Sequence, residues 1–233
     1  PGVYSWKKGL RFSDIITTPY EVLPGTDINI ALLQRMSPET GRIETLTFSP
    51  SAAWMQPKSE QDPKLQGFDE IYLFDLSSDR PTMLANTIAL LQQQAGFKDR
   101  EQLVSVSGSV KFPGTYPLSK GMTTEQLIEV AGGLTEQAYG STGEITRYQI
   151  SEQLQRVVMH INVNLQEAPK LMAAGDTLNV KQVPLWKKRE SIEVKGEVMF
   201  PGTYTILPGE TLMDVMSRAG GLTPHAYPLG AIF

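Results

Sequence analysis

Val104–Ile145 reads VSVSGSVKFPGTYPLSKGMTTEQLIEVAGGLTEQAYGSTGEI, and Ile192–Phe233 reads IEVKGEVMFPGTYTILPGETLMDVMSRAGGLTPHAYPLGAIF. The two stretches align without a gap at an offset of 88 residues. They share 17 of 42 positions, including the blocks FPGTY, AGGLT and AY. Chance does not produce that agreement, so the repeat sets the domain organisation before any element is assigned.

Each copy has the same local grammar. Val104, Val106 and Val110 alternate around Gly108, as in a strand with a bulge or a close backbone approach. Pro113-Gly114 marks a turn, with proline presetting φ and glycine accepting φ > 0. Thr115, Tyr116 and Leu118 form the returning strand. Thr123 with Gln126 makes a capping box, and Leu127, Ile128 and Ala131 form a short apolar helix face. Gly132-Gly133 then ends the helix. The second copy repeats this with Val194, Gly196, Pro201-Gly202, Tyr204, Thr211, Asp214, Val215, Met216 and Gly220-Gly221.

The first of these copies continues. Glu144–Ile150 reads as a strand, Ser151–Gln153 as a turn, and Val157, Met159, Ile161, Val163 and Leu165 as one face of a half-buried strand. Leu178 and Val180 give a last strand after Gly175-Asp176. The predicted unit over 102–184 is α+β: four or five strands in a mixed sheet on one short helix.

A weaker copy covers 1–76. Pro1-Gly2-Val3-Tyr4 matches Pro113–Tyr116 at an offset of 112, and Gly9, Ile15 and Ile16 fall on Gly121, Leu127 and Ile128. Thr17-Thr18-Pro19 predicts a shorter helix here. Ala31–Arg35 and Arg42–Phe48 read as a hairpin, and Leu65–Leu73 as its last strand. Residues 77–101 are a linker holding an amphipathic helix over Thr82–Ala95, with Leu84, Ile88, Leu91 and Ala95 on one face. Residues 185–233 are the last copy. The expectation is that the first copy lacks its opening strand and the last its closing strands, in a fragment or processed product starting at Pro1.

Composition narrows the function classes. The net charge of −4 argues against a role resting on nucleic-acid attraction. Without cysteine there is no disulfide scaffold and no thiol chemistry. No apolar run approaches the ~20 residues of a spanning helix.

The strand–Gly-x-Val-x-Phe-Pro-Gly-x-Tyr pattern, the short helix, Ala-Gly-Gly-Leu-Thr and Ala-Tyr together resemble the soluble-ligand-binding β-grasp (SLBB) module. That module recurs in outer-membrane polysaccharide export proteins of Gram-negative bacteria, including Wza-type and capsule-transport proteins. The resemblance implies tandem β-grasp (ubiquitin-like) modules. It also implies a periplasmic location, attachment to the outer membrane through other parts of the parent protein, and a non-enzymatic role in export. The implied partners are surface or capsular polysaccharide, other export subunits and further copies in a homo-oligomer. The resemblance implies no cofactor.

The site residues are weighed against plain structural roles. Gly132-Gly133 and Gly220-Gly221 are not phosphate loops, because Leu-Thr follows and they end a helix. With Pro113-Gly114 and Pro201-Gly202 they are structural. His160 and His225 lie 65 residues apart without neighbouring ligands, so no metal site is expected. The scattered carboxylates, such as Asp69-Glu70, read as solvated surface, and no catalytic residue is assigned. Tyr139 and Tyr227, and then Tyr116 and Tyr204, are candidates to stack on sugar rings, or else they pack the repeat core. Trp186, Lys187 and Lys188 could hold an anionic glycan, or else form a packed connector. Beside the glycan-contacting reading stand a purely structural oligomerisation scaffold and, less favoured, a glycan-modifying enzyme.

Overall fold

The structure, a computed structural model, describes residues 2–96, 99–150, 155–184, 186, 190–207 and 209–230. It is α+β, as the repeat grammar predicts. In the first region α1 (Phe12–Ile15) leads to β1 (Thr26–Met36), β2 (Ile43–Phe48), α2 (Pro50–Met55) and β3 (Glu70–Asp75). β1 is central, with β2 and β3 antiparallel on either side. Then come α3 (Arg80–Met83) and α4 (Ala85–Gln93). The expected single linker helix is thus broken at Leu84, which caps α3 and opens α4.

The next copy is β4 (Leu103–Gly108), β5 (Gly114–Pro117), α5 (Thr124–Val130), β6 (Ala138–Ile150), β7 (Arg156–Asn164) and β8 (Thr177–Gln182). Its five-stranded sheet runs β5-β4-β8-β6-β7, with β4 and β8 parallel and the other pairs antiparallel. The parallel pair is tight at Gly108. A Cβ built there would lie 2.0 Å from the Val180 carbonyl oxygen. The expected turn at 151–153 lies outside the described residues. β8 pairs with β6 only as far as Thr146, whereas β7 follows β6 to Ile150. The hairpin therefore overhangs the sheet, which leaves Val157 and Met159 exposed while Val163 is buried.

The last copy has β9 (Ser191–Val194) and β10 (Gly202–Thr205), antiparallel, with α6 (Leu212–Arg218). Its small core is Val194, Val198, Val215 and Ala219.

A four- or five-stranded mixed sheet is therefore formed by one copy of the three. Among the described residues the first has three antiparallel strands and the last two. The first region nonetheless repeats a detail of the complete copy. Arg35 Nε and Nη2 donate to the two Asp69 carboxylate oxygens at 3.0 and 2.7 Å, and Nη2 also donates to Lys64 O. Arg147 does the same with Asp176 at 2.8 and 2.6 Å, and with Leu171 O. Arg35 and Arg147 stand 112 residues apart, the offset of the weak repeat. Each bidentate fork ties a long interior strand, β1 or β6, to the turn that enters the copy's last strand.

The chain divides into two compact units, Pro1–Val183 and Pro184–Phe233. Within the first, the expected boundaries near 76 and 102 run through a shared core. β1 is buried on both faces. Ala31 and Leu33 pack with Phe12, Phe48 and Ala53. Ile30 and Leu32 pack with Phe74, Leu84 and the core of the β4–β8 copy, including Val104, Tyr116, Leu127 and Leu178. A strand covered on both sides reads as a continuous apolar run, and Ile30–Leu33 is one.

Candidate functional site

Between β1, the start of α2 and the outer face of α5 lies a cleft of about 480 Å³. Each polar group in it is placed by a local device. Asp27 opens β1. Its Oδ1 accepts from the Asn29 amide at 3.0 Å, and its Oδ2 from Arg80 Nη2 at 2.6 Å. Ser49 is the N-cap of α2, accepting from the Ala52 amide, and its own amide donates to Gln61 Oε1 at 2.8 Å. On α5 the capping box holds Gln126, whose Oε1 accepts from the Thr123 amide. Glu125 and Glu129 lie one turn apart on the same helix face.

Gly132 and Gly133 close the far end of the cleft. Both have positive φ, and they form a Schellman cap: the Gly133 amide donates to Ile128 O and the Gly132 amide to Glu129 O, at 2.8 and 2.9 Å. A Cβ on Gly132 would meet the Phe112 ring at 2.6 Å, so glycine is required there twice over. Arg80, fully buried, adds a second set of donors at this helix end. Its Nη1 donates to the carbonyls of Glu129 and Val130 at 2.9 and 3.1 Å, and its guanidinium lies 4.9 Å from the Phe74 ring centroid and 5.5 Å from that of Phe112. Asp27, which lines the cleft, is thus balanced by the buried Arg80, while Glu125 and Glu129 leave the α5 side of the cleft acidic.

Burial raises the Glu129 carboxyl above its ordinary value, and the neighbouring Glu125 and Asp27 charges push it the same way. Its folded-state value lies above its unfolded one, so folding favours the neutral acid. That stabilising contribution is present below the ordinary carboxylate range and is lost as pH rises through the elevated value. Glu129→Gln is therefore expected to be more stable than the parent chain at pH 7. The difference should shrink to nothing as the pH falls below the ordinary carboxylate range. Urea midpoints measured across that range check it, and a pH-independent difference would show that Glu129 does not titrate this way.

The sequence candidates lie elsewhere. Tyr116 is fully buried and its hydroxyl donates to Phe112 O at 2.6 Å, which withdraws it from the sugar-stacking set and makes it a core residue. Burial also pushes its phenol up. Tyr204 is half-buried in the small core of its unit and makes the same bond to Phe200 O. Tyr139, near the start of β6, and Tyr227 are 48% and 73% exposed, so both rings are accessible. They belong to different units. Trp186 is 37% exposed, and Lys187 and Lys188 lie outside the described residues. The turn and cap residues Pro113, Gly114, Pro201, Gly202, Gly220 and Gly221 occupy the two FPGTY turns and the second helix cap. None of these tyrosines or tryptophans lines the cleft.

The cleft residues Asp27, Asn29, Ser49, Gln61, Glu125, Gln126 and Glu129 carried no signal in the sequence that set them apart from surface polars. Only the capping box over Thr123 and Gln126 placed one of them. Among the described residues no group of three or more His, Asp or Glu side chains is arranged to hold a metal ion. No helix among them is long and apolar enough to cross a membrane.

Residues 103–152 and 191–230 match the SLBB domain family. The two matched segments carry the two FPGTY–AGGLT copies, so the internal repeat is a repeat of that domain. An SLBB domain points to a soluble ligand and a polysaccharide-related role. No curated protein matches the chain.

Proposed function

We propose that the chain is a non-enzymatic, periplasmic ligand-binding part of a surface-polysaccharide export protein, and that the cleft between β1 and α5 is where it contacts glycan. The observation that carries this reading is the lining. Hydroxyl, amide and carboxylate groups from Asn29, Ser49, Gln61, Gln126 and Glu129 line it beside the exposed Leu76 side chain, with Ile30 and Phe48 nearly buried in its floor. Sugar rings present the same alternation of hydroxyl edges and C–H faces. The volume lies within the range of small-ligand sites. The Glu125–Glu129 face repels anions, so the cleft suits neutral or amino sugars, whereas an anionic capsule would need the Trp186 connector instead. The proposed mechanism is passive, by shape and hydrogen bonding, with no bond made or broken.

The test is an NMR titration of the labelled chain with three oligosaccharides: neutral, amino-sugar and uronic-acid. Saturable shifts at Asn29, Ser49, Gln126 and Glu129 are expected with the first two, and little change with the third. Shifts clustered at Tyr139, Tyr227 or Trp186 would move the site away from the cleft. Silence at millimolar concentration of all three would leave the scaffold reading, in which the modules join protomers without touching sugar.

A further inference from the structure

The two FPGTY turns share one backbone frame. Lys111 N donates to Gly133 O at 3.0 Å, and Met199 N to Gly221 O at 3.0 Å. Phe112 N donates to Ala131 O at 2.9 Å, and Phe200 N to Ala219 O at 2.9 Å. Tyr116 and Tyr204 close the turns with hydroxyl bonds of 2.6 Å. The bridges Val110–Leu134 and Val198–Leu222 are equivalent as well.

What differs is the covering. In the β4–β8 copy the segment Phe74–Leu84 lies over the turn. Arg80 sits against the Phe112 ring and donates to the last carbonyls of α5, and Lys111 Nζ donates to Leu76 O. Pro81 packs so closely that a Cβ on Gly114 would lie 2.7 Å from its Cγ. In the last copy Phe200 is 63% exposed and Met199 52%. Among the described residues a Cβ on Gly202 would have only the Tyr204 ring of its own turn nearby, at 4.0 Å. The lysine has become Met199, which makes the face more apolar. Arg218 is bonded to Thr205 O and Glu210, and its guanidinium lies 5.7 Å from the centroid of the Tyr204 ring. The residue 88 positions after Arg80 is Ala168, so the repeat supplies no second arginine.

We propose that the Met199–Phe200 face is a docking surface for an arginine-led helical turn of a partner protein. The guanidinium would seat between the Phe200 ring and the carbonyls of Ser217 and Arg218, with an adjacent proline against Gly202. The intact copy on the same chain defines this chemistry: Asp-Arg-Pro opening a helix, preceded a few residues earlier by the apolar Phe74 and Leu76. Helix-end carbonyls and an aromatic face both attract a cation, and guanidinium satisfies them together. This surface does not depend on the glycan reading of the cleft.

The probe is a capped peptide of residues 74–84, FDLSSDRPTML, titrated into the labelled full chain. Saturable shifts are expected at Phe200, Gly220 and Gly221. Binding should weaken at least tenfold with the peptide whose arginine is alanine, and with the chain variant Phe200→Ala. Phe200 is largely exposed, so that variant keeps its fold, and its melting curve verifies this. Equal binding of the two peptides, shifts confined to Phe112 and α5, or no shift at millimolar peptide would each overturn the proposal. So would concentration-dependent self-association, by light scattering, that Phe200→Ala abolishes, because the face would then be a contact between copies.

Discussion

Replacing Arg80 with alanine is expected to destabilise the Pro1–Val183 unit by about 3–5 kcal/mol, the cost of leaving a buried charge without its partner. The change should appear as a lower urea midpoint at an unchanged slope. Arg80 is fully buried and Asp27 is 7% exposed, so neither charge is relieved by water when the other is removed. Loss of the guanidinium also strips Val130 O of this donor and leaves Glu129 O with the Gly132 amide alone, and it opens space between the Phe74 and Phe112 rings. The pair itself is not expected to be strongly stabilising, because desolvation opposes the attraction and Arg80 Nε has no hydrogen-bond partner. Arg80→Met combined with Asp27→Leu should therefore recover most of the loss, whereas either change alone should not. A single Arg80→Ala cost below about 1 kcal/mol, the range of an exposed ion pair, would show that this arginine does not tie β1 to α5.

Gly108→Ala and Gly196→Ala are expected to differ sharply, although the two glycines are equivalent in the repeat and both have φ near +90°. At Gly108 a Cβ would meet the Val180 carbonyl oxygen at 2.0 Å and its carbon at 3.0 Å, so β4 and β8 cannot keep their register. A cost above about 4 kcal/mol, or failure to fold, is expected there, because backbone cannot move aside as a side-chain tip can. At Gly196 no described residue lies within 4 Å of an added Cβ, and only the left-handed conformation is penalised, by about 1–2 kcal/mol. Midpoints of thermal unfolding for the two variants decide it. Equal losses would mean that the ladder contact does not set the requirement for glycine at 108.

The repeat made much of this fold legible. FPGTY, the Thr-x-x-Gln and Thr-x-x-Asp boxes and the glycine pairs have short-range causes, and the turns, caps and helices stand where those motifs put them. The hairpin expected over Ala31–Arg35 and Arg42–Phe48 also stands, as β1 and β2. Other features depend on partners far away in sequence. Nothing near Arg80 says that its guanidinium is buried, because Asp-Arg-Pro equally opens an exposed helix. The two-sided burial of β1 makes the first region share a core with the next copy, and a domain boundary drawn from repeat ends misses it. The cleft escaped for a similar reason. Its polar groups come from β1, α2 and α5, and each is locally occupied as a cap or turn residue. The aromatic candidates came from recurrence, and recurrence at fixed module positions selects packing residues such as Tyr116.

The two-faced burial of β1 also bears on how the unit opens. A strand that is a wall of two cores cannot peel from one without exposing the other. Opening between the first region and the β4–β8 copy therefore exposes Ile30, Leu32, Phe74 and Leu84 together with the core they cover, and is costly. The two pseudo-repeats of Pro1–Val183 behave as one foldon, and any ligand held in the cleft above β1 draws on the rigidity of both at once.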